Sequence, residues 1–218
     1  VVTYTLEPNG VLTVEAKMSA ATLAEAPRYG VRWRMPKEFS NVKYYGRGPW
    51  ENYCDRKDGA MMSIYSCDVK DMYIPYVRPQ ENGHRVDVQW LEILNDKGKG
   101  LVIYAMSGKE NSEIGDNYFE FNTLHNSVED FDCEESDAPY QWNNFVKNDP
   151  HDIGRARNVM KKQTHVSDIS PRDFTEVCID SRMTGVGGDN SWGAETYDKY
   201  KVLTSEPQRL VVKIVPVQ

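Results

Sequence analysis

Apolar and polar residues alternate at period two along much of this chain. Val31, Trp33 and Met35 interleave with Arg32 and Arg34, which sets an apolar face against a charged one, as in a half-buried strand. Val86, Val88 and Trp90 alternate with Asp87 and Gln89 and predict a further strand. Near the C-terminus Leu210, Val212, Ile214 and Pro216 interleave with Val211, Lys213 and Val215. Shorter β-rich runs cover 11–16, 42–45, 101–106, 118–121 and 174–180. Asn9-Gly10 is a hairpin signal because both residues tolerate positive φ, and 95–100 is a longer turn of the same kind. No stretch of ten or more residues carries a helical period. Many short strands divided by turn residues predict an all-β sandwich or barrel.

One segment breaks the pattern. From about 133 to 162 the chain is polar, with Glu134, Glu135, Asp137, Pro139 and Pro150 and few β-branched residues. A loop of this length is expected to be a peripheral insertion, and Tyr140, Trp142 and Phe145 leave open a flap over a binding surface. With no internal repeat and no obvious linker, residues 1–218 are read as one domain.

Composition narrows the function classes. With 218 residues, 39% hydrophobic and 11% aromatic, the chain can bury a core without disulfides. A net charge of −7 and no basic run beyond Lys161-Lys162 argue against a nucleic-acid partner. No apolar run approaches the roughly 18 residues of a membrane helix. There is no signal peptide, but Val1 in place of an initiating Met is what a processed or excised piece would show, so the compartment stays open between cytoplasm and periplasm. Cys54, Cys67, Cys133 and Cys178 form no CxxC pair and are expected to be free thiols. His84, His125, His151 and His165 lack ligand-like spacing, so no metal site is expected.

Three segments carry candidate chemistry. Residues 46–56, GRGPWENYCDR, contain a GxG, but Pro49 removes a donor that a phosphate loop needs and no helix follows. A tight turn ending the strand at 42–45 is expected, tethered by charge-assisted bonds from Asp55 and Arg56. Residues 73–85, YIPYVRPQENGHR, are extended because Pro75 and Pro79 restrict their neighbours. Here Glu81, His84 and Arg85 could form an acid/base cluster, against the plainer expectation of a satisfied polar network. Residues 185–193 set Gly185, Gly187 and Gly188 just before Trp192. An aromatic plane presented on such a loop suits sugar recognition, because the C–H face of a pyranose stacks on the ring. The competing expectation is a Trp that plugs the end of the sandwich.

Taken together and in this order, GRGPWENYCDR, YIPYVRPQENGHR and GVGGDNSW resemble the C-terminal small-chain domain of the family-2 β-galactosidases. The resemblance runs from about Pro27 to the end and includes Thr164-His165, whereas 133–162 looks like an insertion. It implies a large antiparallel supersandwich of the galactose-mutarotase type. It implies a parent enzyme that hydrolyses terminal β-D-galactosides with retention, using two glutamates on a barrel that these residues do not include. By motif position Trp192 is the residue that stacks on substrate at the barrel's mouth, so the expected partners are a galactoside and that barrel. No catalytic residue, cofactor or metal is assigned here. Whether the parent uses Mg or Na is left open, and the parent is expected to be a homo-oligomer. Retaining hydrolysis needs two carboxyls roughly 5 Å apart, and no acidic pair sits in a motif that would present them so. The 218 residues alone are therefore expected to be inactive. Two other readings stand beside this one. A mutarotase-like aldose 1-epimerase would need a His acid and a Glu base in one groove, with His84 and Glu81 or His165 and Glu176 as the pairs. A non-catalytic carbohydrate-binding module would rest on Trp192 alone.

Overall fold

The computed structural model describes residues 1–19, 25–107, 117–131, 165–190 and 192–218. Among them the regular structure is antiparallel strand with four short 3-10 turns and no α-helix, in agreement with the all-β expectation. Numbered in chain order, a seven-stranded sheet runs β1 (Val2–Leu6), β2 (Leu12–Met18), β13 (Gln208–Val217), β9 (Gly100–Ala105), β8 (Trp90–Leu94), β5 (Asn41–Gly48), β6 (Met61–Asp68). A four-stranded sheet runs β4 (Arg28–Pro36), β11 (Phe174–Met183), β10 (Phe119–Leu124), β7 (Arg85–Val88), and β12 (Val202–Leu203) pairs with β3 (Glu25–Ala26). The polar insertion expected at 133–162 lies outside the described residues.

The core lies between the two large sheets. Val14, Val42, Leu91, Ile103, Val212 and Ile214 from one meet Met35, Phe119, Phe121, Val177 and Ile179 from the other. Each such side chain contributes about 1.5–3 kcal/mol on leaving water. The alternation in β13 is therefore real: Leu210, Val212 and Ile214 point inward and Lys213 stays half-exposed. The four-stranded sheet differs, because its second face is also buried and is polar. Across β10 and β11, Glu120 lies opposite Asp180 and Asn122 opposite Cys178. Arg34 of β4 sits opposite Glu176.

Two expectations need correction. Val86, Val88 and Trp90 do not share a strand. Val88 pairs with Phe119 in the four-stranded sheet, whereas Trp90 pairs with Tyr45 and Tyr104 in the seven-stranded one. The chain crosses between sheets at Gln89, just after a register shift in β7 where Asp87 has a φ of 55° and its carboxylate is held by Arg47 at 2.5 Å and Lys57 at 2.9 Å. Secondly, Gly46 and Gly48 do not form a turn after residue 45, because β5 continues through Gly48. A Cβ on Gly48 would lie 2.3 Å from the Tyr44 hydroxyl and 2.8 Å from the Tyr65 ring, so the glycine is there for close approach.

Candidate functional site

Residues 46–56 and 73–85 lie together at one end of the sandwich. The Glu51 carboxylate accepts the Gly83 N–H at 2.8 Å, an Arg56 N–H at 2.9 Å and the Tyr76 hydroxyl. Asn52 donates from its backbone to the His84 carbonyl at 2.9 Å and accepts the Val86 N–H on its side chain at 3.0 Å. The buried Arg85 guanidinium donates to the carbonyls of Pro49 at 2.7 Å, His84 at 3.0 Å and Gly83 at 3.1 Å. These bonds lock two irregular segments whose backbone groups no strand partner satisfies.

Asp55 brings in the third segment. Its carboxylate accepts the Gly187 N–H at 2.8 Å, the Val186 N–H at 3.1 Å and the Thr196 hydroxyl at 2.7 Å. Burial would raise the Asp55 pKa, but these donors outweigh it and hold the carboxyl below its ordinary value. Asp55 thus tethers the glycine-rich loop rather than its own turn, which is the expectation corrected, and Arg56 with Glu51 holds the turn. Gly187 has φ +62°, and a Cβ there would sit 2.6 Å from the Ala194 carbonyl, so only glycine fits while donating to Asp55. The loop closes through Gly188 N–H to Ala194 O at 2.9 Å and Trp192 N–H to Asn190 Oδ1 at 2.8 Å. Trp192 is 93% exposed, so it does not plug the sandwich.

A second cluster sits on the buried polar face of the four-stranded sheet. His84 is fully buried, with Nδ1 2.6 Å from Asn122 Oδ1 and Nε2 3.0 Å from Glu120 Oε2. The Asn122 amide cannot be reversed, because its Nδ2 donates to Glu81 Oε1 and to the Asn82 carbonyl, both at 2.7 Å. Both ring nitrogens therefore donate, and the ring is an imidazolium. Burial disfavours that charge, but the Glu120 carboxylate raises the His84 pKa above its ordinary value. Arg28 bonds Asp180 and donates to Asn122 at 2.9 Å. Every carboxylate of this cluster is spent: Glu120 on His84 and the Met183 N–H, Asp180 on Arg28, and Glu176 on Arg34 and the Val128 N–H.

A family model described as β-galactosidase small chain matches residues 1–214. The chain belongs to the β-galactosidase small-chain family. It is 31% identical over 200 residues to a β-galactosidase of Priestia megaterium, covering 91% of this chain and 16% of that protein. To β-galactosidases of Halalkalibacterium halodurans and Streptococcus thermophilus it is 26% and 27% identical, covering 97% and 99% of this chain. It spans 18% and 17% of those two proteins, so this small chain is about a sixth of the relatives it matches.

Within this small chain, the three segments picked out by sequence meet at one corner, but Glu81, His84 and Arg85 do not act together. Arg85 serves backbone carbonyls, and His84 pairs with Glu120 instead of Glu81. His165 is exposed with its N–H on Asp168, while Glu176 is buried under arginine. Among the described residues no group of three or more His, Cys, Asp or Glu is arranged to hold a metal ion. Cys54, Cys67 and Cys178 are free thiols, and Cys133 lies outside the described residues. Burial pushes the Cys54 thiol up to about 11, which leaves it unreactive at neutral pH. Sequence reasoning missed the role of Asp55 across the corner and the exposure of Trp50 on the same turn.

Proposed function

We propose that this chain is the C-terminal module of a retaining β-galactosidase acting on terminal β-D-galactosides. It supplies one wall of the sugar site and braces the catalytic barrel, whose two glutamates lie elsewhere in the enzyme. The observation that carries this reading is Trp192, a large aromatic in water on a loop clamped by Asp55. A pyranose has one face of C–H groups, and stacking it on an indole buries apolar area on both partners without needing a charged contact. The clamp removes ordering cost in advance, so more of the stacking free energy is left for binding. The carboxylates of the polar face are consumed by cations and N–H groups, which agrees with the hydrolytic pair being elsewhere. No observation favours an aldose 1-epimerase, since His84 is buried with both nitrogens bonded.

The test is Trp192→Ala in the full-length enzyme. A contact made in ground and transition states alike mainly raises KM, so KM for galactosides should rise about five- to a hundredfold while kcat changes less. An unchanged KM would remove Trp192 from the sugar site. Absence of galactoside hydrolysis by the wild-type enzyme would end the galactosidase reading altogether.

A further inference from the structure

We propose that the open edge of β4 and the inner face of β1 together receive an extended segment of the parent polypeptide from outside residues 1–218, which adds a strand to the four-stranded sheet. This rests on reading the chain as one module of a larger enzyme. Strand pairing fixes which face of β1 is which. Val2 lies opposite Ala16, Tyr4 opposite Val14 and Leu6 opposite Leu12, and these in turn lie opposite Leu210, Val212 and Ile214 of β13. Residues directly opposite one another share a face of the sheet, and Val14, Ala16, Leu210, Val212 and Ile214 belong to the core. Val2, Tyr4 and Leu6 therefore point to the core side of the seven-stranded sheet. They are nevertheless in water, with Tyr4 65% and Leu6 71% exposed.

The cause is a difference in width between the sheets. β7 packs on β5 and β11 on β13, so the order of the small sheet follows that of the large one. Beyond β13 the large sheet has two more strands, β2 and β1, whereas beyond β11 the small sheet has β4 alone. With strands about 4.8 Å apart in both sheets, β4 faces β2, and no strand among the described residues faces β1. A strand set beside β4 would fill that position. The nine residues of β4 pair with β11 and with no other strand among the described residues.

A long edge of this kind is a template for a further strand. The arginines of β4 do not guard it, because Arg28, Arg32 and Arg34 are held over the polar face by Asp180, Glu129 and Glu176. On the core side of the same strand the Trp33 Nε1–H is buried with no acceptor, which a carbonyl of an added strand would supply. The occupant follows from length. The relatives carry about five-sixths of their residues outside the matched part. A segment of that polypeptide is tethered to the site at an effective concentration that a separate molecule does not reach. The segment that fits has apolar residues at every second position, facing Val2, Tyr4 and Leu6.

The experiment places a photoreactive benzoylphenylalanine at position 4 of the full-length enzyme, in place of Tyr4. Irradiation should link it to a peptide from outside residues 1–218 of the same polypeptide. A link to residues 132–164, or to a second copy in a mixture of isotope-labelled and unlabelled enzyme, overturns the proposal, as does the absence of any link. Tyr4→Cys gives a second reading that does not depend on the reach of the cross-linker. Maleimide should modify this cysteine about tenfold or more slowly in the native enzyme than in the unfolded one, because only local opening would expose it. Equal rates overturn the proposal. Neither readout needs turnover. Should the wild-type enzyme hydrolyse no galactoside, the galactosidase reading fails while the cross-link still decides what covers β1.

Discussion

The Asp55 carboxylate accepts the Gly187 N–H at 2.8 Å across a sequence separation of 132 residues. With the Val186 N–H and the Thr196 hydroxyl on the same carboxylate, this bond sets the Trp192 loop against the corner built from residues 46–56 and 73–85. The acid is fixed by its position just before Arg56, which is bonded to Glu51 and lies over the Tyr53 ring. The glycine supplies the backbone geometry that lets an N–H point into the corner. The placement of the Trp192 loop is therefore coupled to Asp55.

Asp55→Ala should weaken galactoside binding through Trp192 while leaving the sandwich folded. Three bonds to one carboxylate are lost together, worth roughly 1–3 kcal/mol of local order. The expected result is a higher KM with only a modest fall in Tm. Backbone amide exchange at Val186 and Gly187 should quicken, which a change confined to the sugar contact would not produce. Unaltered exchange at both amides would show that Asp55 is not what holds the loop.

Trp192→Ala should hardly change the stability of the domain, because a ring that is 93% exposed buries little on folding. Acrylamide quenching should be strong for the Trp192 component of the fluorescence and absent from the variant. A drop of several degrees in Tm would mean that the ring is a structural plug after all.

His84 makes the fold sensitive to alkaline pH. Its pKa is raised in the folded state, against a net of burial by the Glu120 contact, so the linkage sign is that of a group gaining a partner. The stabilisation is full below the unfolded value, about 6.5, and is lost as pH rises through the folded value. The difference in Tm between wild type and His84→Gln should therefore shrink with increasing pH above about 6.5. A difference that stays constant from acid to alkaline pH would show that the ring is neutral throughout.

The 218 residues expressed alone should not hydrolyse a chromogenic galactoside. Turnover that survives a clean preparation and follows the protein peak would place a working carboxylate pair among these residues, against the pairing described for Glu120, Asp180 and Glu176.

Much of the sandwich was legible before any coordinate, because burial of one sheet face leaves a period-two trace. Leu210, Val212 and Ile214 are the clear case. The same trace misled at Val86, Val88 and Trp90, where two strands of different sheets keep one parity across the switch at Gln89. Alternation reports which side of the chain faces apolar surroundings and says nothing of which sheet supplies them. Strand β1 was missed because Val2, Tyr4 and Leu6 alternate but remain exposed, and β6 because Ser63 and Ser66 interrupt an edge strand.

What the sequence by itself determined is the strand content, the three motif-bearing segments and the presentation of Trp192 on a glycine-rich loop. These follow from local properties: side-chain polarity at period two, the φ limits of proline, and the freedom of glycine. Tertiary structure alone decided that Asp55 serves Gly187 and that Glu51 serves Gly83. It also decided that His84 is a buried cation between Glu120 and Asn122, and that Trp50 stands in water beside an open depression. Each depends on which distant group arrives opposite a given side chain. A carboxylate has the same composition whether it meets an N–H, an imidazole or solvent, so its role is set by the partner that folding delivers.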